Sequence, residues 1–257
     1  MNILIYGIGG KMGKVLLSVA KKNTEIDVIC GVDMFAKPAD FCVPVFKSIR
    51  DANHLKFDCV IDFSVHEAVL DILPFAVDNN IPCVISTTGH DENELRLIEE
   101  ASTMIPIFKT GNMSLGINIL SRLVKETALA LVDNADIEIL EAHHNQKLDS
   151  PSGTAKMLFE SAKAGREQAL PVFGRGCSHK KRSKDEIGIH AIRGGSVVGK
   201  HSVMFLLNGE TVTLSHEAES KDIFAIGSLN AAKFLLTKLS NPRIYDMNDL
   251  LSQAISN

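Results

Sequence analysis

The chain has 257 residues, 45% of them hydrophobic and 23% charged, which excludes a disordered or collagen-like protein and fits one large domain or two modest ones. Its formal net charge of −4 argues against a nucleic-acid partner. No apolar run approaches the ~20 residues of a membrane span, and the N-terminus lacks the positive charge of a signal peptide, so we expect a cytoplasmic protein without a membrane partner.

The first 110 residues alternate between short apolar runs and segments with helical periodicity. The predicted strands are 2–7, 26–33, 58–64, 81–87 and 104–108. The predicted helices are 11–22, 66–79 and 91–102. Because strands that alternate with helices pair in parallel through right-handed crossovers, we predict an α/β fold with a Rossmann-like doubly wound parallel sheet.

The second half of the chain has a different pattern, which predicts an antiparallel α+β domain. Its predicted helices are 114–133 and 154–163. Its predicted strands are 137–142, 187–192, 202–207 and 211–217. Helices 225–238 and 249–255 then return to the first domain. We therefore predict a dinucleotide-binding domain of residues 1–113, completed by 221–257, and a second domain of residues 114–220.

The glycine-rich turn at residues 7–13 follows the first strand and opens the first helix. Free backbone N–H groups and the helix dipole favour a diphosphate at such a junction. The spacing departs from G-x-G-x-x-G, because Met12 stands in place of the third glycine. Asp33, at the end of the second strand, can accept the ribose hydroxyls. An ATP-binding P-loop is excluded, because Ile8 and Val15 occupy its required glycine and hydroxyl positions.

Polar side chains cluster between a strand and a helix at residues 141–154. Histidine suits proton transfer near neutral pH, and lysine supplies a cation or an acid. His143 and His144 point to opposite sides of an extended chain, so their roles differ. Backbone N–H groups of Ser152, Gly153 and Thr154 begin the next helix and can bind a carboxylate. A solvated loop is the alternative; a metal site is disfavoured, because adjacent histidines chelate poorly.

Two further features allow a functional and a structural interpretation. The five cysteines are odd in number and form no C-x-x-C pair, which indicates reduced, small apolar side chains. Cys177 and His179 could begin a metal site, but no second pair completes it.

Residues 174–186 carry Lys180, Lys181, Arg182 and Lys184. They form either a solvated loop or a mobile flap that attracts an anionic substrate.

Residues 143–154 closely resemble the H-H-x-x-K-x-D-x-P-S-G-T signature of the 4-hydroxy-tetrahydrodipicolinate reductase (dihydrodipicolinate reductase) family. This family belongs to the diaminopimelate route to lysine. The resemblance covers nearly the whole chain, including residues 9–13, 86–89, 111–116 and 187–195. It implies a homotetramer built through the second domain, which also binds the substrate.

The resemblance also implies roles for individual residues. His143 resembles the proton donor or acceptor, and Lys147 a second proton donor. His144, Gly153 and Thr154 resemble contacts to substrate carboxylates. The implied nucleotide contacts are Gly7, Ile8, Gly9, Gly10, Lys11, Met12, Asp33, Ser86, Thr87, Thr88, Thr110, Gly111, Asn112 and Met113. No metal is implied.

The implied reaction is the NAD(P)H-dependent reduction of 4-hydroxy-tetrahydrodipicolinate, a small dicarboxylate, to tetrahydrodipicolinate. Hydride adds to the ring carbon remote from the imine, and a proton then reaches the neighbouring carbon. A nucleotide-binding redox sensor and another nicotinamide-dependent dehydrogenase of amino or oxo acids are the alternatives. A sensor would not need His143 and Lys147 beside a helix start.

The residues near Asp33 indicate a modest preference for NADH over NADPH. A carboxylate favours the free ribose hydroxyls, whereas a cation accommodates the 2′-phosphate. Lys11 and Lys37 could still reach that phosphate, but lysine lacks the bidentate grip of arginine. We therefore expect both cofactors to work.

Overall fold

The computed structural model describes residues 1–132, 134–176 and 179–256. Its contacts divide the chain into two compact units. Unit 1 contains residues 1–114 and 221–257, and unit 2 contains residues 115–220.

The helices and strands are numbered in chain order. The strands are β1 (Asn2–Tyr6), β2 (Asp27–Val32), β3 (Val45–Phe46), β4 (Cys59–Asp62), β5 (Cys83–Ile85), β6 (Ile107–Lys109), β7 (Asp136–His143), β8 (Leu170–Phe173), β9 (Glu186–Arg193), β10 (Gly199–Leu206), β11 (Thr211–Ala218) and β12 (Ile244–Tyr245). The helices are α1 (Lys11–Ala20), α2 (Val69–Asp78), α3 (Glu92–Ser102), α4 (Leu115–Ala130), α5 (Gly153–Ala162), α6 (Asp222–Leu236) and α7 (Met247–Ser256).

Unit 1 is built on a seven-stranded sheet in the order β12-β6-β5-β4-β1-β2-β3. All of its strand pairs are parallel. The prediction of a doubly wound parallel sheet is confirmed. Strands β3 and β12 were not predicted, because two residues are too short to show a periodicity.

Apolar side chains of the parallel strands alternate between two cores. Ile3 and Ile5 of β1 pack with α1, α6 and α7 on one face of the sheet. Leu4, between them, packs with α2 and α3 on the other face. Both faces are therefore covered by helices, as the continuous apolar character of these strands requires.

Unit 2 contains a five-stranded sheet in the order β11-β10-β7-β9-β8. The prediction of an antiparallel sheet is wrong for half of it. β10 pairs antiparallel with β7 and β11, but β9 pairs parallel with both β7 and β8. β7 lies between β9 and β10, so these two strands, neighbours in sequence, do not form a hairpin. Helices α4 and α5 pack against one face of this sheet.

The arginines of the basic segment 174–186 are bound to the sheet of unit 2. Arg182 donates to Asp136 at 2.7 Å and to Glu138 at 3.2 Å. Arg175 donates to Glu138 at 3.1 Å and to Glu186 at 2.9 Å. Arg182 therefore does not support the interpretation of a flap that attracts an anionic substrate, because its charge is compensated within unit 2.

Cys30, Cys42, Cys59 and Cys83 are free thiols, and Cys42 is exposed whereas the other three are buried. Cys177, with the start of the metal site considered for it, lies outside the described residues. Within the described ranges, none of the helices is both long enough and apolar enough to cross a membrane. The same ranges contain no group of three or more His, Cys, Asp or Glu side chains able to hold a metal ion.

Candidate active site

The parallel sheet of unit 1 brings the predicted nucleotide contacts to one edge. Strands β1, β2, β4, β5 and β6 all end at this edge, because parallel strands share their direction. The predicted contacts follow these ends: residues 7–12 after β1, Asp33 after β2, 86–88 after β5 and 110–113 after β6. A ligand crevice at the carboxyl ends of strands, where the strand order reverses between β1 and β4, is typical of this architecture.

The glycine turn between β1 and α1 brings the backbone close to this crevice. Gly7 has a φ of +81°, a conformation that favours glycine. A Cβ atom at Gly9 would lie 2.7 Å from Asp33 Oδ2, so a side chain there would displace the carboxylate. Gly10 precedes α1 without any side-chain cap. The first-turn N–H groups of α1 have no intrahelical acceptors and can bind an anion.

Backbone N–H groups hold the Asp33 carboxylate in place. Its Oδ2 accepts from Gly9 at 2.9 Å, and its Oδ1 accepts from Phe35 and Ala36, each at 2.9 Å. A carboxylate has about four acceptor positions, so about one remains, on Oδ2. A cavity of about 430 Å³ beside Asp33 is also lined by Lys14 and Lys37. The sequence indicated Lys11 and Lys37 as lysines that could reach a 2′-phosphate, and it did not indicate Lys14.

Asp62, at the end of β4, connects two loops of the same edge. The side chain is 1% exposed. Thr87 Oγ1 donates to its Oδ2 at 2.6 Å, and Ser64 donates to its Oδ1 from both the backbone N–H, at 3.0 Å, and the hydroxyl. Burial raises the pKa of Asp62 to about 6, against the opposing effect of these hydrogen bonds.

The raised pKa of Asp62 predicts a pH-dependent stability. The Asp62 carboxyl group binds its proton more tightly in the folded than in the unfolded chain. The stabilisation from this protonation is complete below pH 3.8 and is lost as the pH rises through 6. When the pH is lowered from 7.5 to 5, we expect the free energy of unfolding of wild type to rise by about 1.4 kcal/mol more than that of Asp62→Asn. Urea unfolding of both proteins measures this double difference. An equal pH response of the two proteins would contradict the prediction.

In unit 2, His143 and Glu141 form a buried pair at the end of β7. Nδ1 of His143 lies 2.6 Å from Oε2 of Glu141. Arg193, opposite His143 in the β7–β9 register, donates to both carboxylate oxygens at 2.8 Å. Burial lowers the pKa of the His143 imidazole, and the Glu141 carboxylate partly opposes this. The arrangement can hold a histidine in one orientation for proton transfer.

His201 and Ser152 pack against this pair and support the start of α5. The His143 and His201 rings meet edge to face, with centroids 5.1 Å apart. His201 Nε2 lies 3.1 Å from Ser152 Oγ, which accepts from Ala155 N at 3.1 Å and caps α5. Burial lowers the pKa of His201 to about 4, so this ring is neutral near pH 7.

The remaining predicted substrate residues lie on the same loop and helix start. Lys147 forms an ion pair of 2.8 Å with Asp149. His144 donates its backbone N–H to Val197 O at 2.7 Å. Gly153 and Thr154 begin α5, and a Cβ atom at Gly153 would meet open space. The Ser152 N–H, predicted to bind a carboxylate, binds that of Glu141, because it donates to Glu141 Oε1 at 3.0 Å.

The sequence did not indicate Asp62 in unit 1, nor Glu141, Arg193 and His201 in unit 2. A signal existed for Glu141. Positions 137, 139, 141 and 143 share one face of a strand, and the first two are isoleucine. A glutamate followed by a histidine on that buried face indicates a paired ionisable group.

Two family models of known proteins together match most of the chain. The family model described as dihydrodipicolinate reductase, N-terminus, matches residues 1–113, and the corresponding C-terminus model matches residues 116–251. A 4-hydroxy-tetrahydrodipicolinate reductase from Caldanaerobacter subterraneus subsp. tengcongensis is 46% identical over 98% of this chain and 99% of the relative. One of the same name from Clostridium tetani is 42% identical over 98% of this chain and 97% of the relative.

Solved structures share the fold. A dipicolinate-bound dihydrodipicolinate reductase from Paenisporosarcina sp. TG-14 has a TM-score of 0.75 at 23% identity, covering 96% of this chain and 97% of its own. A scyllo-inositol dehydrogenase from Lactobacillus casei, with bound NAD(H) and scyllo-inositol, has a TM-score of 0.57 at 13% identity, covering 98% and 93%. Because both family models match and full-length relatives exceed 40% identity, the chain belongs to the dihydrodipicolinate reductase family.

Proposed function

We propose that the protein catalyses the NAD(P)H-dependent reduction of 4-hydroxy-tetrahydrodipicolinate to tetrahydrodipicolinate, in the diaminopimelate route to lysine. The observation that carries the proposal is the buried His143–Glu141 pair, followed in the chain by Lys147 and the N-terminus of α5. A proton donor, a cation and the N-terminus of a helix suit the reduction of a dicarboxylate. The relatives' names support the same reaction.

The residues at the sheet edge of unit 1 fit a nicotinamide dinucleotide. The uncapped start of α1 and the glycine turn would hold the diphosphate, and Asp33 would accept from the adenosine ribose. Segments 86–88 and 110–113 would complete the binding site. When bound, the cofactor supplies the hydride.

Unit 2 supplies the groups that bind the substrate and move the proton. The N–H groups of Gly153 and Thr154, together with His144, bind the two carboxylates. Protonated His143 donates from Nε2 to the ring carbon next to the one that receives hydride. Glu141 stabilises the imidazolium during this step, and the Lys147 ammonium acts as a second proton donor near the substrate anion.

A single assay tests the proposed function. Purified protein is mixed with NADH or NADPH and enzymatically generated substrate, and loss of the reduced nicotinamide absorbance is followed. We expect oxidation that depends on this substrate. Oxidation of NADH or NADPH with oxo acids alone, or reduction of NAD⁺ or NADP⁺ with amino acids, would favour another dehydrogenase. Binding of the cofactor without turnover of any of these compounds would favour a redox sensor.

We expect NADH to be preferred over NADPH by about tenfold or less in kcat/KM, a factor equivalent to ~1.4 kcal/mol. Asp33 favours the free 2′-hydroxyl, but its remaining acceptor capacity is small, and Lys14 and Lys37 line the same cavity. The Lys37→Ala variant should lose kcat/KM with NADPH and retain it with NADH. A clear NADPH preference in wild type would mean that the lysines outweigh Asp33.

We also expect a homotetramer formed through unit 2. On β10, Val203 and Phe205 are fully buried on the helix-covered face, whereas Met204 lies half-buried on the opposite face. Ile192 is 51% exposed. An open sheet with apolar side chains on its second face favours a covering partner. Light scattering should give a molar mass about four times the 28.0 kDa of one chain, and a smaller mass for the Met204→Glu variant. A stable wild-type monomer at micromolar concentration would refute the expectation.

A further inference from the structure

We propose that Glu141, itself held by Arg193, is the positioning residue that sets the orientation and tautomer of His143. The inference rests on the proposed function, which gives His143 the proton transfer. Glu141 is 0% exposed and lies two residues before His143 on the same face of β7. The 2.6 Å distance between its Oε2 and His143 Nδ1 is that of a short, charge-assisted hydrogen bond.

The carboxylate of Glu141 is surrounded by donors. Arg193 Nη1 donates to Oε2 and Nη2 to Oε1, both at 2.8 Å. Ser152 N donates to Oε1 at 3.0 Å. Burial by itself would raise the pKa of Glu141, but the hydrogen bonds from Arg193, His143 and Ser152 lower it below its ordinary value. Glu141 therefore stays ionised although it is buried.

An ionised carboxylate only accepts hydrogen bonds, so Nδ1 of His143 carries a hydrogen and Nε2 is left for the reaction. Gly199 keeps space beside that second nitrogen. A Cβ atom at position 199 would lie 3.2 Å from His143 Nε2, closer than ordinary contact. The pairing with Glu141 thus presents the same ring nitrogen in every turnover.

Four ionisable groups surround the His143 ring. Glu141 comes from β7, Arg193 from β9, His201 from β10 and Lys147 from the loop after β7. Glu141 is the anion among these four. Without the Glu141 carboxylate, burial and the cations of Arg193 and Lys147 favour the neutral imidazole of His143. The proton donor would then lose its proton at a lower pH.

The Glu141→Gln variant tests this role in the full-length protein. We expect kcat to fall by about 10²-fold, since replacing a carboxylate that orients a catalytic histidine costs up to ~10⁴. The Kd for NADH should not change. The alkaline limb of the kcat–pH profile, where His143 loses its proton, should move to lower pH.

Glu138→Gln is the matched control. Glu138, on the same strand, also pairs with a histidine and with arginines: His190 at 2.8 Å, Arg175 at 3.1 Å and Arg182 at 3.2 Å. The Glu138→Gln variant should have lower thermal stability than wild type and an unshifted alkaline limb of the kcat–pH profile. If Glu141→Gln keeps kcat within about threefold of wild type and an unshifted limb, the positioning role is wrong while the proposed function stands.

A measurement on wild type keeps the inference testable should Glu141→Gln not fold. Nitrogen NMR of histidine-labelled protein distinguishes the two tautomers, and His143→Asn identifies the signals of His143. We expect the hydrogen of the neutral ring on Nδ1. A hydrogen on Nε2 instead would overturn the proposal, whether or not the protein reduces the substrate.

Discussion

His143→Ala should lower kcat by roughly 10²–10⁴, the contribution of a positioned general acid, and leave the Kd for NADH unchanged. We propose the imidazole, which is buried in unit 2 and lies 2.6 Å from Glu141, as the proton-transfer group. The glycine turn and Asp33, which we propose for the nucleotide, belong to unit 1. Steady-state kinetics with the native substrate and fluorescence titration with NADH measure the two quantities.

Two further variants separate loss of the proton donor from loss of structure. His143→Asn retains an amide donor for Glu141 and should be as inactive as His143→Ala with better stability. His144→Ala, at the neighbouring position, should mainly raise KM, because we assign His144 to carboxylate binding. A His143→Ala protein with near-wild-type kcat would show that His143 is not the proton donor.

Lys147→Ala should lose about 10²-fold or more of kcat, the lower end of the general-acid effect, again with unchanged NADH binding. The ammonium lies 2.8 Å from Asp149 and only 21% of the side chain is exposed, so it is held on the loop that follows β7. Stopped-flow kinetics with saturating NADH measure the chemical step.

Lys147→Arg distinguishes the proton from the charge. Arginine keeps the cation but does not release a proton at ordinary pH, so KM should stay near the wild-type value while kcat remains low. Asp149→Asn removes the ion-pair partner and should retain most of kcat. Full activity of Lys147→Arg would assign Lys147 to substrate binding alone.

Local patterns in the sequence determined most of the first unit. The alternation of apolar runs with helical periodicity predicted β1, β2, β4, β5 and β6 with the helices between them, because each βα unit is specified by neighbouring residues. Parallel strands then bring their ends to one edge, so the predicted nucleotide contacts, far apart in the chain, lie along that edge. Strand β12 was not predicted, because its two residues are too few to show a periodicity and join the sheet only through β6.

For the second unit, the sequence by itself determined four of the five strands and the loop that carries the histidines and Lys147; β8 was not predicted. Only the tertiary structure decided that β7 lies between β9 and β10, since alternation shows which face a side chain takes and not which strand lies beside it. That pairing brings Arg193 to Glu141, 52 residues away, and His201 to Ser152, 49 residues away. A buried carboxylate needs such partners, and they are supplied by strands whose order no local pattern encodes.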